Sequence, residues 1–128
     1  MCILSCKKER NQCNKFEGDN MTYVFDIDGT ICTNSDGIYE NAKPIQERID
    51  KINDLYTKGH TIIFMTARGM GRTGNSQLYS ERLFKKQTKA QLKSWGVKLH
   101  QLFMGKPSGD FYIDDKGVKD EDFFNSTD

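Results

Sequence analysis

Met21-Thr-Tyr-Val-Phe-Asp-Ile-Asp-Gly-Thr30 is the stretch on which the reading of this chain turns. Residues 21–27 are rich in aromatic and β-branched side chains, which suit a pleated, half-buried strand. The run stops at Asp28-Gly29-Thr30, where the glycine permits a turn. A strand therefore delivers two acids and a hydroxyl to its carboxyl end.

Downstream, residues 37–43 read as a loop, and Pro44 suits the first turn of a helix. Ile45, Ile49, Ile52 and Leu55 with Tyr56 form the stripe of an amphipathic helix that Gly59 stops. Residues 60–66 (HTIIFMT) are a continuous apolar strand, as expected where both faces of a parallel sheet are covered. Residues 67–77 contain Gly69, Gly71 and Gly74 without periodicity and predict a loop of some mobility. A second helix is expected over residues 78–95, with Leu83, Phe84, Leu92 and Trp95 inward and Gly96 at its end. A strand over 97–104, a loop over 105–109, a short strand over 110–113 and the pair Asp114-Asp115 follow. The last residues predict one helical turn packing Phe123 or Phe124 on the core. Strands alternating with helices predict an α/β fold, here a three-layer Rossmann-like core with a small parallel sheet.

Upstream, residues 1–20 are polar and aperiodic, which predicts a flexible extension before a domain over residues 21–128. Cys2, Cys6 and Cys13 lie in it, and Cys32 beyond it. Lys7, Lys8, Glu9 and Arg10 interrupt any apolar leader, so reduced thiols in the cytoplasm are expected. Zinc binding by the three early cysteines lacks a C-x2-C pair and a fourth ligand. The 128 residues leave room for one domain without a lid. With 19 Lys+Arg against 18 Asp+Glu, the net charge of +1 argues against a dedicated nucleic-acid or anionic-membrane binder. The longest clean apolar run, residues 62–65, is far short of the roughly 20 residues of a membrane span.

Ligands of open parallel sheets bind at the carboxyl ends of the strands. The strand ends here carry Asp26 and Asp28, then Thr66, Ala67 and Arg68, then Asp114 and Asp115, with Lys106 on the loop before the last pair. Four carboxylates so placed repel unless a cation joins them, and an oxygen-only ligand set favours Mg2+. Thr66, Arg68 and Lys106 suit the non-bridging oxygens of a phosphoryl group, and Ala67 falls among these contacts. The pair Asp26 and Asp28 suits a nucleophile and a general acid for phosphoryl transfer.

These residues resemble, in order, the four motifs of the haloacid dehalogenase superfamily of phosphatases: Asp26-Ile-Asp28-Gly-Thr30, Thr66 after an apolar strand, Lys106, and Asp114-Asp115. Thr66-Ala-Arg-Gly-Met-Gly and Gly105-Lys-Pro-Ser-Gly-Asp-Phe-Tyr-Ile-Asp-Asp-Lys are similar to the small capless phosphatase-like proteins of bacterial capsule and surface-polysaccharide gene clusters. The resemblance implies that Asp26 attacks phosphorus to form an aspartyl-phosphate. It also implies that Asp28 protonates the leaving alkoxide and then activates water. Mg2+ would be held by the Asp26 carboxylate, the Asp28 carbonyl and Asp114, with Asp115 as a direct or outer ligand. Thr66 and Lys106 would hold the phosphoryl oxygens. Residues 31–43 and 67–105, where the superfamily inserts caps, are too short or too full for one. A sugar phosphate is then the expected substrate, and a large substrate, the 67–77 loop or a neighbouring subunit of a homo-oligomer the expected source of a missing wall.

Two alternatives stand beside that reading: a nucleotide or polynucleotide end phosphatase, and a non-catalytic partner or regulatory protein that keeps the fold. Arg68 reads equally as a substrate contact or a loop cap, Cys32 as small packing in the turn, and His60 and His100 as packing or solvent histidines. Lys85, Lys89 and Lys93 recur every four residues and read as a solvated helix face.

Overall fold

In the computed structural model, which describes residues 20–126, β1 is Thr22–Phe25 and leads straight into the Asp26–Thr30 turn. The expected extension lies outside the described residues except for Asn20, and so do Cys2, Cys6, Cys13 and residues 127–128. A 3-10 turn follows at Tyr39–Asn41, then α1 at Gln46–Thr57. Pro44 precedes this helix, forming a bridge with Cys32, and Ile45 takes the N-cap position. Gly59, at φ +97°, takes the left-handed conformation that ends a helix most readily at glycine. Beyond it come β2 (Thr61–Thr66), α2 (Gln77–Ser94), β3 (Gln101–Met104) and the short α3 (Asp120–Phe124). No helix among the described residues is long and apolar enough to cross a membrane.

The three strands form a parallel sheet in the order β1-β2-β3, with Thr22 opposite Thr61 and Ile63 opposite Gln101. Directly paired residues share a face. Phe25, Ile62, Phe64, Leu102 and Met104 fall on one face and share a core with Ile49 and Ile52 of α1 and Leu92 of α2. The opposite face carries Val24, Ile63, Met65 and Phe103, with Val24 60% and Phe103 45% exposed. Strand order that advances in one direction puts right-handed crossovers on the same side of the sheet. The described residues therefore make two layers, not the expected three. The continuous apolar run of β2 predicts cover on both faces; Ile63 and Met65, on the outer one, are half-buried.

The expected strand over residues 110–113 does not form: the segment is irregular, with Phe111 84% and Ile113 94% exposed. Tyr112 instead folds back, its hydroxyl donating to the Pro107 carbonyl at 2.7 Å and accepting from the Gly109 N–H at 3.0 Å. Aromatic and β-branched composition favoured a strand; these side-chain-to-backbone bonds hold a turn. The helical turn expected at the end is present as α3. Both Phe123 and Phe124 pack on Phe25, with ring centroids 5.6 and 6.0 Å away.

Candidate phosphoryl-transfer site

The exit of β1 is shaped by Gly29, whose φ of +83° puts it in the left-handed region where a Cβ is costly. The Gly29 N–H donates to the Cys32 carbonyl, and the Thr30 and Ile31 N–H groups both donate to the Ile27 carbonyl. Ile27, Ile31 and Cys32 are buried beneath this turn. Asp26 and Asp28 flank Ile27 and remain half-buried at the surface.

Asp26 meets Lys106, whose Nζ lies 3.7 Å from Asp26 Oδ2. Burial pushes the Asp26 carboxyl above its usual range, while Lys106 and the Ile27 N–H pull it back and Asp28 adds to the rise. Lys106 is fixed at its main chain, where its N–H donates to the Thr66 carbonyl at 3.0 Å, and its ammonium sits 4.3 Å from the Tyr112 ring centre. The β2 end therefore positions the cation that faces the β1 acid. Thr66 is itself buried, and its hydroxyl oxygen accepts from the Arg68 N–H at 3.1 Å.

Asp28 is committed elsewhere. Arg68 Nε donates to Asp28 Oδ2 at 2.9 Å and Nη2 to Oδ1 at 3.0 Å, a two-pronged grip with fixed geometry. Its Nη1 donates to Gln91 Oε1 at 2.7 Å and to the Thr88 hydroxyl at 3.4 Å. The guanidinium lies 4.7 Å from the Tyr39 ring centre, and its side chain is wholly buried. Arg68, expected among the substrate contacts, is thus turned inward. A buried guanidinium needs partners for its donors, and Asp28, Gln91 and Thr88 supply them. Cys32 packs beside this pair; burial pushes its thiol up to about 12, with Asp28 adding and Arg68 opposing. It stays protonated at neutral pH, in keeping with a packing role.

The loop over residues 67–77 is tied down. Gly69 N–H donates to the Tyr39 hydroxyl at 2.7 Å, Ser80 Oγ donates to the Arg68 carbonyl at 2.7 Å, and Met70 is buried. Arg72 donates to the Gly37 carbonyl and lies over the Tyr39 and Phe84 rings. Tyr39, Ser80, Thr88 and Gln91 were missed in the sequence. Ser80, Phe84, Thr88 and Leu92 recur every four residues on the inner face of α2, so a polar pair on an inward stripe was the available signal. Leu83, expected inward, is 59% exposed because this stripe faces the core instead. His60 and His100 pack as expected: Nδ1 of His60 accepts from the Met21 N–H, and Nδ1 of His100 from the Ile62 N–H.

Asp114 and Asp115 do not join Asp26 and Asp28. Both are exposed on the irregular segment, where the Lys116 N–H bonded to Asp114 Oδ1 at 3.1 Å holds the Asp114 carboxyl below its usual range. No group of three or more His, Cys, Asp or Glu that could hold a metal is assembled among the described residues. The oxygen donors have the hardness Mg2+ prefers, but in this arrangement they stand as two separate arms.

No protein-family model matches the chain, and no curated protein matches it significantly. A crystal structure of a target protein from Vibrio cholerae is similar, with a TM-score of 0.77 and 24% identity over 84% of this chain and 89% of that one. That likeness supports the fold. The chain is an α/β protein whose small parallel sheet and helices are consistent with a Rossmann-like core.

Proposed function

We propose that this protein is a capless phosphomonoester hydrolase of the haloacid dehalogenase type, working through an aspartyl-phosphate on Asp26, with a sugar phosphate as substrate. The observation that carries the reading is the Asp26–Lys106 pair at the carboxyl ends of the parallel strands. Among the described residues no arginine grips Asp26, whose partners are Lys106 and the Ile27 N–H. Lys106 is anchored through Thr66 so that its ammonium can meet a phosphoryl oxygen beside the attacking carboxylate.

In the forward step, an Asp26 oxygen bonds to phosphorus as the bond to the leaving alkoxide breaks, and the alkoxide takes a proton from Asp28. Water, deprotonated by Asp28, then attacks phosphorus and releases phosphate with Asp26 restored. To carry that proton toward the leaving oxygen, one Asp28 oxygen must give up its Arg68 hydrogen bond, while the other bond keeps Arg68 orienting the acid rather than the substrate. Mg2+ would supply charge neutralisation at the phosphoryl group. Asp26 and the Asp28 carbonyl are the residues that would hold it, and Asp114 with Asp115 beside it would complete the set only by moving in from the exposed segment over 110–116. A cytoplasmic setting and a homo-oligomer whose neighbour helps close the open site belong to the same reading.

The test is a panel of sugar phosphates, nucleotides and 5′- or 3′-phosphorylated oligonucleotides assayed with Mg2+, together with formation of a beryllofluoride adduct at Asp26. Turnover of sugar phosphates, abolished in Asp26→Asn, is expected. Preference for oligonucleotide ends would replace the substrate class. Absence of both turnover and adduct would leave the non-catalytic alternative.

A further inference from the structure

We propose that the groove between α2 and the outer edge of β3 docks an acidic, extended segment of a partner protein, which adds to the sheet as a strand beside β3. The groove has a volume of about 890 Å3, with Lys85, Lys89 and Lys93 along one wall and Val97, Leu99 and Leu102 among its apolar lining. It lies away from Asp26 and Asp28, and its occupant is independent of the phosphatase reading.

Three observations select that occupant. The first is the edge itself. Thr61 N–H donates to the Met21 carbonyl, so the odd residues of β2 serve β1 and the even ones serve β3. With Ile63 opposite Gln101, the main chain of Gln101 and Phe103 turns to β2, leaving N–H and C=O of Leu102 facing outward. No strand pairs with that side among the described residues.

The second is charge. Residues 82–98 contain no acid, and none of the ion pairs among the described residues engages the three lysines. A second copy presenting the same edge would bring a second lysine row against the first, which disfavours self-pairing. The third is spacing. Lysines four residues apart on a helix are separated by about 6 Å along its axis. Alternate residues of a strand are separated by about 6.7 Å. Acids at every second position of an added strand would therefore fall opposite successive lysines, while main-chain bonds to Leu102 set the register. A nucleic-acid strand would match the lysines but leave the outward N–H and C=O unused.

The test uses the full chain, 15N-labelled, titrated with a blocked eight-residue peptide alternating Glu and Val. Its Lys-Val counterpart and a twelve-residue oligothymidylate serve as comparisons. The expected result is saturable binding of the Glu-Val peptide with amide-exchange protection gained at Leu102. Affinity should fall at least about tenfold in the Lys85→Glu/Lys89→Glu/Lys93→Glu variant and persist in the triple Lys→Arg variant, both checked for an unchanged circular-dichroism spectrum. Absence of binding, equal binding of the Lys-Val peptide, or binding without protection at Leu102 would overturn the proposal. So would tighter binding of the oligothymidylate at the same amides, or protection of Leu102 by self-association without peptide.

Discussion

Asp26 and Asp28 are two residues apart yet stand in opposite electrostatic settings. Asp26 faces a single ammonium and is dominated by the cost of burial, which raises its pKa. A carboxyl whose folded pKa lies above its unfolded value favours folding at low pH and loses that contribution as pH rises through the folded value. Asp26→Asn should therefore melt higher than the parent at pH 7, with the difference closing as pH falls through the usual carboxylate range. Thermal melts from pH 3 to 8 measure this, and a lower melting temperature for the variant at pH 7 would contradict the assignment. Arg68 poses the converse case. Arg68→Met keeps much of the volume but leaves Asp28 and Gln91 without their donors, and should cost about 3–5 kcal/mol in urea unfolding. Both effects arise from side chains named in the sequence reading. Their partners were not legible there, because Tyr39, Thr88 and Gln91 reach Arg68 from elements that only the fold brings together.

Among the elements, those with strong local signals were read closely. The apolar stripe of α1, its end at Gly59 and the apolar run of β2 all form where periodicity and punctuation place them. The segment over 110–113 failed because strand propensity is a preference for a covered, pleated surface, and no neighbour covers it here. The short α3 shows the opposite balance. Five residues cannot hold a helix alone, so α3 depends on its contacts. Arg48 Nη1 meets Asp120 Oδ2 at 2.7 Å, Lys51 Nζ donates to the Phe123 carbonyl at 2.9 Å, and both phenylalanines pack on Phe25. Phe124→Ala should cost about 2 kcal/mol, less than a fully buried phenylalanine, and raise amide exchange across α3 before the sheet. The hydrogen bond from Arg48 holds the Asp120 carboxyl below its usual range, so this tether contributes above that range and is lost as pH falls through the folded value.

Across the whole molecule, the α/β order, the parallel sheet and the strand-end position of Asp26, Asp28, Thr66 and Lys106 were legible because each rests on local pattern and chain order. The two-layer build was not, since side-by-side apolar residues in β2 look alike whether one face or two are covered. The strand registers also carry a kinetic consequence. Thr22 pairs with Thr61 and Ile63 with Gln101, so the partners are 39 (61 − 22) and 38 (101 − 63) residues apart. No hairpin among the described residues nucleates the sheet, and each of these ladders must close a long loop before its bonds repay the lost chain entropy. Refolding will therefore be governed by how early α1 and α2 collapse on the nascent strands. Weakening their inward faces will slow folding as well as hasten unfolding.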